Sequence, residues 1–413
     1  MGRPQIARNG LPGNLVDSSR AGITPRTLGI VGNQRQDMLR HHFFASPRCT
    51  VAESPGFCRK VAWHRPGRYT RRTMRTRSTL PVGKLPPAVL QGLLRACHPP
   101  ASSGVVIGPR YGEDAAVIDI GAKYLVAKTD PITFTEERIG WYAVNINAND
   151  IATLGARPRW FLATLLLPEG RTTRKLAQQI FLDVLHTCRA LGIALCGGHT
   201  EITAGLQRPI VVGQMLGEAK KSELIRKESQ RPGDLIILTR GVAIEGTAIL
   251  ARAKGVTLQK KVGRAAVRRA KRWLFDPGIS VVHDARLAVR SGEIHAMHDP
   301  TEGGLLSGLA EIAQAGGVGL RVWKEKIPVL PETLAFSRAL QFDPLALIAS
   351  GALLVVAPRA SVPHLLLAYA RMGIFAPVIG EIRPQKEGIL VVENGRGTPL
   401  CVPEQDEIAR LLS

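Results

Sequence analysis

Acidic residues are scarce in this chain: 33 Asp+Glu stand against 55 Lys+Arg in 413 residues, a formal net charge of +22. The imbalance is local, because residues 1–73 hold 13 Lys+Arg and only 3 Asp+Glu. Cysteine is also sparse. The six cysteines (Cys49, Cys58, Cys97, Cys188, Cys196 and Cys401) form no Cys-x-x-Cys pair, which argues against a disulfide framework or a thiolate zinc site and suits a reducing compartment. Cys188 in a helical pattern and Cys196 at the end of an apolar run read as buried thiols. Long apolar runs are missing too. The longest, residues 345–358, is broken by Ser350-Gly351 and falls short of the roughly 20 residues a membrane span needs. The N-terminus lacks the apolar core of a signal peptide. A soluble, cytoplasmic protein without a membrane segment is expected.

Residues 1–73, within a leader that extends to residue 79, show neither helical nor strand periodicity and are rich in Arg, Gly, Pro and Ser. They read as a disordered basic leader, since such composition buries too little apolar surface to offset chain entropy. Met74 is an alternative start, and a chain beginning there is expected to be as stable as the whole. Regular signals follow. Residues 115–120 and 124–129 pair as a hairpin around Gly121-Ala122-Lys123. Thr133 to Glu136 reads as a capping box opening a helix that runs to Leu154 before Gly155. Residues 160–167 form a buried strand. Leu176, Ile180, Val184, Cys188 and Leu191 mark one face of a helix ending at Gly192. Strands at 193–196 and 209–216 complete a first domain over 80–220. A polar linker spans 221–232. A second domain over 233–413 has strands at 234–239, 319–323, 352–357 and 389–392, with helices at 244–252, 279–290 and 304–314. Strands and helices in this order give a mixed α/β (α+β) fold of two domains.

Five polar clusters each sit beside an apolar element: Gly112-Glu113-Asp114-Ala115-Ala116-Val117, Lys128-Thr129-Asp130-Pro131, Asn145 to Asp150, Gly197-Gly198-His199-Thr200-Glu201, and His298-Asp299-Pro300-Thr301-Glu302-Gly303-Gly304. The third is the most telling on physical grounds. Asn and Asp are poor helix formers and costly to bury without partners, yet three Asn and one Asp crowd an otherwise apolar helix. A ligand and metal site accounts for them, and so does local backbone pairing. Hard cations such as Mg²⁺ take carboxylate oxygens, and Asp114, Asp130 and Asp150 offer these from three separate elements.

The order of the clusters resembles one superfamily. It comprises aminoimidazole ribonucleotide (AIR) synthase, thiamine-monophosphate kinase, selenophosphate synthetase and the hydrogenase-maturation carbamoyl dehydratase. The likeness runs from about Val82 to Val392. It implies a PurM-like fold: an N-terminal ferredoxin-like domain that pairs with a second copy into a dimeric barrel, then a C-terminal α/β domain. It also implies an enzyme using ATP and Mg²⁺ in a cleft, consistent with the lack of any Gly-x-x-x-x-Gly-Lys-(Ser/Thr). By the same resemblance Asp114, Asp130 and Asp150 are metal and phosphate ligands. Thr129, Asn149, Gly197, Gly198 and Asp299 are nucleotide contacts, and Asp150, Glu302 and His199 are the catalytic candidates. A maturation-partner protein is a further implication.

Three departures qualify the branch. His199 replaces the usual Asp, so either a metal position moves to Glu201 or the imidazole hydrogen-bonds a phosphate, neutral imidazole being a poor Mg²⁺ ligand. Glu302 replaces an Arg. The carbamoyl dehydratase carries its substrate on a mobile C-terminal thiol, whereas the only late thiol here is Cys401, in a segment expected to dock with it buried. The leading expectation is phosphoryl transfer or ATP-driven dehydration of a small acid or amide, nearest the hydrogenase-maturation branch. The alternative is a cyclo-ligase or metabolite kinase. Residues 251–272, with nine Lys+Arg and no acid, admit nucleic-acid binding as a remote third reading, the plainer one being a solvated basic face.

Overall fold

The structure is a computed structural model and describes residue 80 and residues 83–412. The leader reading, Met74 as a start, Cys49 and Cys58 lie outside the described residues. The first half begins with helix α1 (Pro87–Leu94) and strands β1 (Val105–Ile107), β2 (Ala116–Asp119) and β3 (Lys123–Ile132). Helix α2 (Ile139–Thr153), β4 (Arg157–Pro168), α3 (Arg174–Leu191), β5 (Ala194–Thr203) and β6 (Ile210–Lys220) follow. The six strands form one sheet in the order β1-β2-β3-β6-β4-β5, antiparallel except for the parallel pair β4/β5. The expected hairpin is present, with Asp119 opposite Tyr124.

Helix α3 has the stripe its spacing predicts: Ile180, Val184 and Cys188 are buried. The Thr173 side chain accepts from the Leu176 N–H at 3.1 Å, and Gly192 ends the helix at φ 66°, a left-handed conformation that glycine adopts without steric cost. Helix α2 corrects one expectation. No capping box starts it: the helix begins at Ile139, Arg138 precedes it at φ 61°, and no side chain caps it, while the Thr135 hydroxyl bonds the Glu137 carbonyl instead. All of its residues but Trp141 are buried. Sheet and α3 pack on one side of it, and the second half of the chain packs on the other.

The second half contains β7 (Leu235–Leu238), α4 (Ile244–Ala253), α5 (Gly255–Val262), α6 (Arg264–Arg272), α7 (Val282–Ser291), β8 (Ala296–His298), α8 (Gly304–Gly316) and β9 (Gly319–Trp323). It continues with α9 (Pro331–Leu340), β10 (Leu354–Ala357), α10 (Val362–Arg371), β11 (Val378–Arg383), β12 (Ile389–Glu393), β13 (Arg396–Pro399) and α11 (Glu407–Leu412). Its sheet runs β13-β12-β9-β11-β7-β10-β8. Strands β7 and β10 lie inside it, and Ile236, Ile237, Leu238 and Leu354 to Ala357 are fully buried, as continuous apolar runs covered on both faces should be. The basic run forms α5 and α6. Part of its charge is structural: Arg252 pairs with Glu137 at 3.2 Å, and Arg269 pairs with Glu332. Residues 221–232 are not a solvated linker throughout, since Lys227 within them is fully buried.

Candidate active site

A cleft of about 360 Å³ is lined by the turn before β2, by β3 and α2, by the segment after β8 and by the C-terminal segment. Asp114 enters it from the turn before β2. That turn needs Gly112, at φ 87°, because a Cβ there would stand 2.5 Å from the Glu311 carbonyl oxygen. Asp114 is buried and fully engaged. Its Oδ1 is 2.7 Å from His298 Nδ1, and its Oδ2 accepts from Lys227 Nζ at 2.9 Å and Thr153 Oγ1 at 2.8 Å. Burial opposes ionisation of Asp114, but the Lys227 and His298 charges outweigh it and hold its carboxyl far below the usual range. His298 Nε2 lies 2.9 Å from Glu311 Oε2. Burial disfavours the imidazolium, yet Asp114 and Glu311 raise its pKa; burial likewise opposes ionisation of Glu311, but Lys84 and His298 bring it down to about 2. The result is a buried relay of alternating charge, Lys227–Asp114–His298–Glu311.

A second group faces it. Lys128 Nζ lies 3.1 Å from Asp150 Oδ2 and 3.5 Å from Asp130 Oδ2. Burial pushes the Asp150 carboxyl up to about 6, with Lys128 opposing the shift and Asp130 and Asp114 adding to it. Asp299 is 1% exposed, and neither of its oxygens has a hydrogen-bond partner among the described residues. Burial first, and then the charges of Asp150 and Asp114, raise its pKa well above the carboxylate range. At the rim the Lys84 amide donates to Glu302 Oε2 at 3.1 Å, and Lys84 Nζ donates to Thr301 Oγ1 at 3.1 Å.

Two models of known families match the chain. The N-terminal domain of AIR synthase related proteins covers residues 112–219, and the C-terminal domain covers residues 231–393. The chain belongs to the AIR-synthase-related family. Among curated relatives, the carbamoyl dehydratase HypE of Rhodobacter capsulatus is 30% identical over 262 residues, covering 62% of this chain and 73% of that protein. The selenide, water dikinase of Dechloromonas aromatica is 31% identical over 266 residues, covering 62% and 71%. The crystal structure of hydrogenase maturation protein HypE in complex with ATP aligns at TM-score 0.59 and 22% identity, covering 77% of this chain and 91% of that one, which shows a shared fold. The chain is an enzyme of this superfamily, as the motif order implied.

The cleft brings together Asp114, Asp130, Asp150, Asp299 and Glu302, but not every residue that the family pattern suggests. Asn149 is fully buried away from it. Its Nδ2 donates to the Ile279 carbonyl at 2.9 Å and its Oδ1 accepts from the Val281 N–H at 2.8 Å, so it ties α2 to the segment before α7. Asn145 and Asn147 likewise donate to backbone carbonyls of their own helix. Thr129 faces β6 and donates to the Gly213 carbonyl. Gly197, Gly198 and His199 do not follow a strand; they lie within β5, at the edge of the sheet. His199 is exposed and pairs with Glu201 at 3.1 Å. Gly198 is glycine for packing, as a Cβ would meet the Ala163 carbonyl oxygen at 1.9 Å. Cys188 is buried as expected, whereas Cys196 and Cys401 are exposed.

The donor set fits a hard divalent cation, and Asp299 adds a carboxylate to the three expected. Asp299 offers two buried oxygens without partners, next to Asp150 and with Asp130 at the rim. Asp114 already serves Lys227, Thr153 and His298, even though donor atoms of Asp114, His298 and Asp299 lie within 4.8 Å of one another. Sequence reasoning missed Lys84, Lys227 and Glu311 and gave His298 and Lys128 no role. His298 and Lys128 sit inside the quoted clusters and were findable there; the other three are single charges without a local pattern.

Proposed function

We propose that the protein is an ATP- and Mg²⁺-dependent enzyme nearest the hydrogenase-maturation branch, activating a small acceptor by phosphoryl transfer or ATP-driven dehydration. The observation that carries this reading is the Asp299 carboxylate, buried and without partners beside Asp150 and Asp114. Such a group is costly unless a cation completes it. Asp299 and Asp150 would hold Mg²⁺, with Asp130 nearby. Bound there, the cation neutralises phosphate charge, the main requirement of phosphoryl transfer. Lys84 and Lys128 supply the cationic contacts for phosphate oxygens. Glu302, whose pKa burial raises, is placed to accept a proton from the acceptor. The Lys227–Asp114–His298–Glu311 relay fixes the turn and strand that carry these groups. His199 has no part in this reading. Calorimetry with Mg²⁺·AMPPNP tests it: Asp299→Asn is expected to weaken binding by about tenfold or more, roughly 1.4 kcal/mol, with unchanged or higher apo melting temperature. Equal affinity in wild type and variant would sink the reading.

A cyclo-ligase or metabolite kinase is the second reading, favoured by how Cys401 is held. The Leu400 amide donates to the Ile389 carbonyl at 2.9 Å, and Asp406 accepts from the amides of Gly303, Ile348 and Ile408. A carrier thiol has to travel, and this one is flanked by tethers. A homodimer is part of either proposal, because among the described residues β5 pairs only with β4 and leaves an open edge with Ile202 exposed.

A further inference from the structure

A second cavity, of about 460 Å³, adjoins the acidic cleft and shares Lys84, Asp130, Phe134, Thr301 and Glu302 with it. Its character is different. Ile132, Ile146, Ile249 and Ile348 give it apolar walls, and Phe134 stands where the two cavities meet. Three of its lining side chains, Glu245, Tyr142 and Ser350, keep a buried polar atom without a hydrogen-bond partner. Glu245, near the start of α4, is 2% exposed and its Oε2 has no hydrogen-bond partner; Tyr142, on α2, is 1% exposed and its hydroxyl has none. Each comes from a different half of the chain. Buried polar atoms are nearly always paired, and leaving one unpaired costs about 1–3 kcal/mol. A carboxylate in an apolar wall is more demanding, since a neutral donor satisfies its hydrogen bond but not its charge.

From this we infer that the second cavity is the acceptor pocket, and that it takes an organic cation: an amine nitrogen on an apolar or aromatic body, held by Glu245 and the Tyr142 hydroxyl. The apolar body lies along the isoleucines, with its cationic end against Glu245 and its far end at Lys84 and Asp130, where the cavities join. An acid is disfavoured at the Glu245 end, where its charge would face a buried carboxyl, although Arg208 and Lys84 line the cavity elsewhere. The assignment rests on the nucleotide reading only for the name acceptor; the preference for a cation rests on Glu245 and Tyr142 alone. Burial raises the Glu245 pKa to about 7 against opposing interactions with Ser350, as expected of a carboxyl without a countercharge.

The test uses three probes with one body: benzylamine, benzyl alcohol and benzoate, measured by calorimetry on the whole protein with and without Mg²⁺·AMPPNP. Benzylamine is expected to bind about tenfold or more tighter than the other two. That preference is expected to disappear in Glu245→Gln and to shrink several-fold in Tyr142→Phe, consistent with the cost of removing one partner of a buried charge pair. Tyr142→Phe removes only an unpaired hydroxyl, so it decides the matter if Glu245→Gln fails to fold. Absence of benzylamine binding at millimolar concentration overturns the proposal, as does equal binding of benzoate or benzylamine affinity unchanged in both variants. A tenfold loss of Mg²⁺·AMPPNP affinity in Glu245→Gln would assign the cavity to the nucleotide and overturn the acceptor pocket. Failure of Mg²⁺·AMPPNP to bind wild type would remove the nucleotide reading while the three-probe comparison still tests the cation pocket.

Discussion

Lys227 and Asp114 form an ion pair with side chains 1% and 5% exposed, and their energetics differ from those of a surface pair. Bringing both charges out of water is costly, so the pair as a whole adds little, but removing one partner strands the other. Lys227→Met is therefore expected to destabilise the protein by about 3–5 kcal/mol in urea unfolding, and the double variant Lys227→Met/Asp114→Asn to recover much of that. A loss below about 1 kcal/mol in the single variant would mean that His298 and Thr153 hold Asp114 unaided. Glu245 gives a pH signature. Its folded pKa, raised to about 7 by burial, exceeds the unfolded value of about 4.3. The folded state therefore binds the extra proton between those values, and stability falls as pH rises through the window. Wild type is expected to lose up to roughly 3 kcal/mol from this group between pH 4.5 and 7.5, and Glu245→Gln to show a flatter profile. Identical profiles would mean that the carboxyl finds a partner in solution.

Helix α2 shows how far local pattern reaches. Its cluster of Asn and Asp announces that polar groups are buried there, and Asp150 does open into the cleft. Which of the four faces a ligand depends on contacts across the chain: Asn149 meets Ile279 and Val281, 130 and 132 residues away. Asn149→Ala leaves a carbonyl and an N–H unpaired at the α2–α7 contact. It is expected to cost about 2–4 kcal/mol by chemical denaturation while leaving Mg²⁺·AMPPNP affinity within about twofold; a selective loss of nucleotide affinity would restore it as a ligand contact. The strands and α3 were readable because periodicity is local. The acids Asp114, Asp130, Asp150 and Asp299 were readable because each abuts a strand or helix end. Lys84, Lys227 and Glu311 were not, since an isolated charge acquires meaning only from the residues the fold brings to it. The Gly-Gly-His-Thr segment has a strong pattern, and in the single chain it lies in an exposed edge strand apart from the cleft lining.

Across the molecule, the decision between branches comes down to whether the chain's end can move. Residues 402–406 line the cleft, and α11 buries Ile408, Ala409 and Leu411. Asp406 receives three backbone N–H groups from the α8 cap, the 345–350 segment and α11. Cys401 sits between this anchor and the β12–β13 hairpin, exposed to solvent rather than buried. Its thiol is thus open to modification, but the backbone on either side of it is fixed by hydrogen bonds, and releasing it would mean undocking α11. Each such bond contributes about 1 kcal/mol, and buried apolar side chains about 1.5–3 kcal/mol each, so the undocked state is rare. Cys401→Ser is expected to leave ATP turnover within a few-fold of wild type, and intact-mass analysis after incubation with ATP and a carbamoyl donor is expected to show no adduct at this position. A carbamoyl group mapped to Cys401, with turnover abolished in the serine variant, would show that the tail undocks during the reaction and would replace the kinase or cyclo-ligase reading with self-carbamoylation.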